Sequence, residues 1–98
     1  MKNKSYYVYI LSSQKNGTLY IGVTSSLIKR VWEHKEGAVK GFSSRYHISL
    51  LVYFEEYLNV NEAIGREKYL KGKRRDYKIK LIEERNPEWK DLYKDLIV

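Results

Sequence analysis

Residues 6–24 read YYVYILSSQKNGTLYIGVT, two alternating runs separated by the turn-forming triplet Lys15-Asn16-Gly17. In the first run Tyr7 and Tyr9 alternate with Val8 and Ile10, and in the second Tyr20 alternates with Leu19, Ile21 and Val23. Period-two alternation on both sides of a turn predicts an antiparallel β-hairpin. If Asn16-Gly17 were the two turn residues, Ser13 would oppose Tyr20; a loop centred one or two residues earlier would bring Tyr9 opposite Tyr20. The sequence leaves that register open. Either arrangement keeps the aliphatic residues together, because a one-residue slip would flip a strand's faces, and burying them gathers the tyrosines on the other face.

Outward from the hairpin, Ser25 or Ser26 is an N-cap for SLIKRVWEHKEG, a helix over 26–36 with apolar residues at 27, 28, 31 and 32 and a stop near Gly37. Arg30 and His34 are i,i+4 neighbours on the edge of that stripe. GAVKGFSSRYH, residues 37–47, reads as a loop before a third strand at about 50–56. Asn59 followed by Glu62 resembles a capping box, opening a helix that ends at Gly72. Another helix is expected over roughly 74–85. Asn86 as cap with Pro87 at the first helical position then predicts a C-terminal helix over about 87–96.

The chain has 98 residues, 43% hydrophobic, 14% aromatic and 32% charged, which describes one globular domain and argues against disorder. Its formal charge of +7 favours polyanions and makes nucleic acid the leading partner class. No apolar run approaches the roughly 18 residues of a membrane span, and the N-terminus does not read as a signal peptide, so a cytoplasmic location without membrane contact is expected. The absence of cysteine removes disulfides, thiolate chemistry and zinc ribbons, and two histidines make a weak zinc site.

On the helix from Asn59, the residues Val60, Ala63, Ile64 and Leu70 form one apolar stripe with Glu67 in its middle. A buried carboxylate must meet a cation, a metal or a pocket, and a plain salt bridge to a nearby Lys or Arg stands beside the functional alternatives. Arg30 and His34 read equally well as side chains covering the core edge. The strand tyrosines read equally well as packing residues. Residues 66–80 hold eight Lys/Arg against two acids, interleaved with Tyr69 and Tyr77. This is a solvated helical surface or a nucleic-acid surface, in which Arg66, Lys71, Lys73, Arg74, Arg75 and Lys78 would make the contacts.

Taken together, Tyr7-Val8-Tyr9, ten residues, Tyr20-Ile21-Gly22, Arg30, His34 and a helical Glu67 resemble the GIY-YIG nuclease domain over residues 6 to about 86. The chain is similar to its small stand-alone members, whose catalytic module is like that of the excision-repair nuclease and of homing endonucleases. It departs from the pattern at Tyr7, which replaces the first glycine of the motif, and at Val23, where the repair nucleases carry lysine. The resemblance implies an α/β (α+β) fold, a three-stranded antiparallel sheet flanked by helices in a single domain over 1–98. It also implies a metal-dependent endonuclease hydrolysing DNA phosphodiester bonds in repair or recombination. The alternative is a non-catalytic or weakly catalytic nucleic-acid-binding module on the same fold.

Carried over by the same resemblance, Tyr20 helps activate water, and Tyr9 positions it or shares its proton. Arg30 holds the phosphate, and His34 relays a proton. Glu67 binds one Mg²⁺ or Mn²⁺, for which a hard carboxylate is the right ligand. Gly22 permits close backbone approach, and Asn86 is a structural residue at the site. DNA is the expected partner, with RNA left open, a protein partner as one source of sequence specificity, and a monomer or weak dimer as the assembly.

Overall fold

The computed structural model describes residues 4–38, 41 and 46–98. Strands β1 (Tyr6–Ser12) and β2 (Leu19–Thr24) form the expected hairpin, with Tyr9 opposite Gly22, Ile10 opposite Ile21 and Leu11 opposite Tyr20. This register lies between the two that the sequence left open. The connection is wider than a two-residue turn because hydroxyls hold it open: Ser13 Oγ accepts from the Thr18 N–H at 3.0 Å, and the Ser13 N–H reaches the Thr18 carbonyl at 3.1 Å. Asn16 takes the left-handed conformation such a loop requires, at φ 58°. Strand β3 (Leu50–Tyr57) pairs antiparallel with the other side of β1, so the sheet order is β2-β1-β3 and β2 is an edge.

Both faces of this sheet are covered. On one, Val8, Ile10, Ile21 and Val52 pack with Ala63 and Leu70 of α2 (Val60–Lys71), Ile82 of α3 (Arg75–Arg85) and Trp89. On the other, Tyr9, Leu11 and Leu51 pack with Leu27 and Val31 of α1 (Leu27–Lys35) and with Ile48, while Tyr7, Tyr20 and Phe54 border them. The aliphatic and tyrosine faces segregate as the alternation requires. The tyrosine face is nevertheless a second core as well as a candidate floor, each large buried side chain being worth about 1.5–3 kcal/mol.

The helices refine the sequence-based boundaries. Leu27, Val31 and His34 turn inward from α1, whereas Ile28 and Trp32 are 46% and 51% exposed. The buried stripe therefore runs i, i+4, i+7 and carries a histidine in place of the second apolar file. Asn59 caps α2, its Oδ1 accepting from the N–H groups of Asn61 (2.8 Å) and Glu62 (3.1 Å).

The expected helix over 87–96 is shortened to α4 (Tyr93–Leu96), and Asn86 caps nothing at its start. Its buried amide instead brackets a turn, donating to the carbonyls of Val52 (3.1 Å) and Lys90 (2.9 Å) and accepting from the Lys90 N–H at 2.9 Å. Trp89 is left-handed at φ 57°, which breaks any helical ladder there. The same segment covers the outer edge of β3, with the Leu92 N–H on the Leu51 carbonyl at 2.7 Å; among the described residues β2 is the edge without such a strap. Of the predicted 37–47 loop, residues 39, 40 and 42–45 lie outside the described residues. No helix among the described residues is long and apolar enough to cross a membrane.

Candidate active site

The register sets the first part of the site. Because Tyr20 opposes Leu11, it shares a face with Tyr9 on the diagonal, and the two rings stand 6.3 Å apart. Tyr9 lies directly over Gly22: a Cβ on that residue would sit 2.4 Å from the phenol oxygen. Glycine thus leaves the space in which a fully buried tyrosine crosses β2. One turn apart on α1, Arg30 and His34 descend onto the same rings. The Tyr9 hydroxyl is 3.2 Å from His34 Nε2, and the Tyr20 ring is 5.1 Å from the imidazole. Arg30 is within hydrogen-bonding reach of the Tyr9 phenol and pairs through Nη1 with Glu33 Oε1 at 3.2 Å.

Burial pushes the Tyr9 phenol up to about 12, the neighbouring Tyr20 adds to the rise, and Arg30 pulls against it. Burial, and then the Arg30 charge, hold His34 below its ordinary value, with Glu33 opposing, so the imidazole is neutral at pH 7. For Arg30, desolvation works against the charged form, but the Tyr9 phenol and Glu33 outweigh it and hold the guanidinium's pKa up. A guanidinium only donates, so toward Arg30 the phenol oxygen is the acceptor, while the direction of its 3.2 Å contact with His34 Nε2 follows the imidazole's tautomer.

Glu67 approaches from the other layer. It sits on α2 between the buried Ala63 and Leu70, and its carboxylate acts electrostatically on Tyr9. The side chain is 15% exposed, and Lys71, one turn later, reaches it with Nζ at 2.8 Å. The salt-bridge alternative therefore has its partner. Among the described residues no three His, Asp or Glu side chains converge into a metal cage. A lone carboxylate fits Mg²⁺ or Mn²⁺ in the mode where the ion keeps most of its waters and shares itself between one acid and a substrate phosphate.

The basic residues separate into committed and available groups. Arg66 forks onto Glu55 through two 2.9 Å bonds, and the hydroxyls of Tyr53 and Tyr57 bind the same carboxylate. Arg75 donates through Nη2 to the carbonyls of Asn16 and Gly17 at 2.7 Å, clamping the hairpin loop. Lys73 stands over the exposed Tyr69 and Tyr77 rings at 4.6 and 5.4 Å, and Arg74 is solvent-exposed. Lys71 and Lys78 line a pocket of about 260 Å³ with Leu19, Tyr20 and Ile21. A second pocket of about 310 Å³ is formed by Val23, Thr24, Ser26, Lys29, Arg30 and Glu33. Both pockets take lining residues from β2.

The structure thus brings Tyr9, Tyr20, Arg30 and His34 together, with Glu67 in electrostatic range. Asn86 is at the β3 edge, bonded to Val52, on the opposite side of the sheet from β2. Glu33, Thr24 and Lys29 were missed by the sequence reading. Only Glu33 left a signal, its i,i+3 spacing from Arg30.

A family model described as the GIY-YIG catalytic domain matches residues 5–80. A UPF0213 protein of Clostridium perfringens is 36% identical over 90 residues, covering 92% of this chain and 96% of its own. Another, from Staphylococcus haemolyticus, is 35% identical over 80 residues, covering 82% and 96% respectively. Among solved structures, the solution NMR structure of a UPF0213 protein from Bacillus halodurans superposes with a TM-score of 0.56 at 25% identity, covering 89% of this chain and 92% of that one.

Proposed function

Since the chain belongs to the GIY-YIG catalytic-domain family, a nuclease family, we propose that it is a divalent-metal-dependent endonuclease hydrolysing DNA phosphodiester bonds, with a role in repair or recombination. The observation that carries this reading is the convergence of a guanidinium, two phenols and a neutral imidazole beside the edge strand, with the Glu67 carboxylate in range.

In this mechanism Arg30 holds the scissile phosphate and stabilises the charge that develops on it. Tyr20, half-buried where Tyr9 is fully buried, meets the attacking water. Tyr9 passes its own proton to His34 Nε2 across their 3.2 Å contact as it takes up the proton released by the water, so the phenol is protonated before and after and neutral His34 is the final acceptor. Glu67 would hold Mg²⁺ or Mn²⁺, which supplies Lewis-acid stabilisation of the phosphate and leaving oxygen. Lys73, Arg74 and Lys78 are the DNA contacts this reading favours from the basic run, because Arg66 and Arg75 are committed to protein acceptors.

One observation favours the non-catalytic alternative: Glu67 already has a counter-ion in Lys71. A cleavage assay on supercoiled plasmid and branched DNA with Mg²⁺ or Mn²⁺, beside Glu67→Gln, separates the readings. The nuclease reading expects cleavage that the variant loses while its fold and DNA binding persist. Equal cleavage by both proteins removes Glu67 from the mechanism, and no cleavage by the wild type leaves the binding module.

A further inference from the structure

We propose that Lys71 is a displaceable counter-ion that couples the two ligands of the site: it neutralises Glu67 until a divalent cation arrives, then turns into the pocket beside Lys78 to bind a backbone phosphate of the substrate. The inference rests on the nuclease reading above, and specifically on Glu67 as the metal ligand.

Three features of the structure support it. Glu67 is 15% exposed while Lys71 is 53% exposed, so the acid lies within the layer and its partner reaches it from the solvent side. The ammonium is a compact charge on a flexible four-carbon stem, and from one backbone position it serves either the carboxylate 2.8 Å away or the neighbouring pocket. That pocket, about 260 Å³, is lined by Lys71, Lys78, Leu19, Tyr20 and Ile21, with no acid among those residues. Lys78, joined by Lys71 once it leaves Glu67, selects an anion there, and the Tyr20 wall puts that anion next to the proposed water-activating phenol. A phosphate flanking the scissile one has the right charge and is delivered by the same strand.

The consequence is a handover of charge. A divalent ion at Glu67 competes with the ammonium for the carboxylate and repels it, so metal entry releases Lys71. The released lysine then strengthens the strand contact. Because linkage is reciprocal, bound nucleic acid must equally raise metal affinity. Without metal the lysine is withheld, which lowers affinity for DNA in the state that cannot cut.

Two measurements test the coupling without relying on turnover. First, Mn²⁺ alone is titrated into the DNA-free protein and followed by electron paramagnetic resonance. Lys71→Gln should bind Mn²⁺ about threefold to fivefold more tightly than wild type, the scale of one ion pair released, and Glu67→Gln should lose the site. If Mn²⁺ binding depends on Glu67 and Lys71→Gln leaves it unchanged, the nuclease site stands and the counter-ion role falls. If Mn²⁺ binding is indifferent to Glu67, the metal-site reading fails and takes this proposal with it.

Second, binding of a fluorescein-labelled duplex is measured in EDTA for wild type, Glu67→Gln, Lys71→Gln and the double variant. Glu67→Gln should tighten binding several-fold by freeing Lys71, and that gain should vanish in the Lys71→Gln background. An equal gain in both backgrounds would mean that only a repelling carboxylate had been removed, and would overturn the handover.

Discussion

Gly22→Ala tests the contact on which the site is built. The new methyl would stand 2.4 Å from the Tyr9 phenol oxygen, 2.5 Å from Cζ and 2.9 Å from Cε1, where carbon contacts settle near 3.5–4.0 Å. Tyr9 has no exposed volume into which to retreat. Either its ring leaves Gly22 and gives up His34 and Arg30, or β2 is pushed off β1. Overpacking costs typically about 1–3 kcal/mol, and a lost buried hydrogen bond about 1 more. The expected loss is therefore about 2–4 kcal/mol, a large share of a stability near 5–15 kcal/mol. Urea unfolding followed by circular dichroism measures it, in wild type, Gly22→Ala, Tyr9→Leu and the double variant. Leucine carries no atom where the methyl lands, so in the Tyr9→Leu background Gly22→Ala should be neutral or stabilising, since alanine loses less backbone freedom than glycine in a strand. A Gly22→Ala cost that is the same in both backgrounds would refute the reasoning, showing that the glycine does not serve the tyrosine.

Three further outcomes are expected. Asn86→Ala should cost about 1–3 kcal/mol in thermal unfolding, because Val52 and Lys90 lose a buried amide partner; an unchanged melting temperature would show the bracket to be replaceable by water. His34 is depressed in the fold, so on acidification the unfolded chain takes up its proton first; stability should fall below about pH 6.5 and level off once the native imidazole protonates. His34→Phe should lack that component in urea midpoints taken from pH 5 to 8. In a salt titration of duplex binding, Lys73/Arg74/Lys78→Ala should flatten the log–log slope by about 0.9 for each phosphate no longer neutralised, uniformly across sequences, while an unchanged slope would leave these charges as solvated surface.

The hairpin, the third strand and the α2 cap were legible because each rests on local chemistry: alternation, turn residues and an Asn side chain within reach of its own helix. The segregation of tyrosines from aliphatics was legible for the same reason, and with it the grouping of Tyr9 and Tyr20. What sits on α1 was harder to read. Ile28 and Trp32 look like core by composition, and only the packing against a sheet that already carries tyrosines turns His34 inward in their place. Asn86 misled through its neighbour: Asn-Pro is a good helix start, yet a buried carbonyl on Val52, 34 residues away, takes the amide instead. The fates of Arg66 and Arg75 were equally illegible, since Glu55 and the carbonyls of Asn16 and Gly17 reach them only through the tertiary fold.

The burial that makes Tyr9 a core residue also decides what its hydroxyl can do. Pushed up to about 12 by burial, the Tyr9 phenol is almost wholly protonated at pH 7, which makes it a poor base there. It is therefore suited to donate, to His34, and to accept, from Arg30. The rate profile distinguishes the roles. With His34 as acceptor, single-turnover cleavage should rise through the depressed imidazole pKa, below 6.5, and be flat from there into the alkaline range. Tyr9→Phe should lower that plateau and move its acid limb, since the partner of Nε2 is gone, while Tyr20→Phe should lower the plateau and leave the limb in place. A rate that climbs tenfold per pH unit past pH 9 in the wild type, and loses that climb in Tyr9→Phe, would make the buried phenol the base after all.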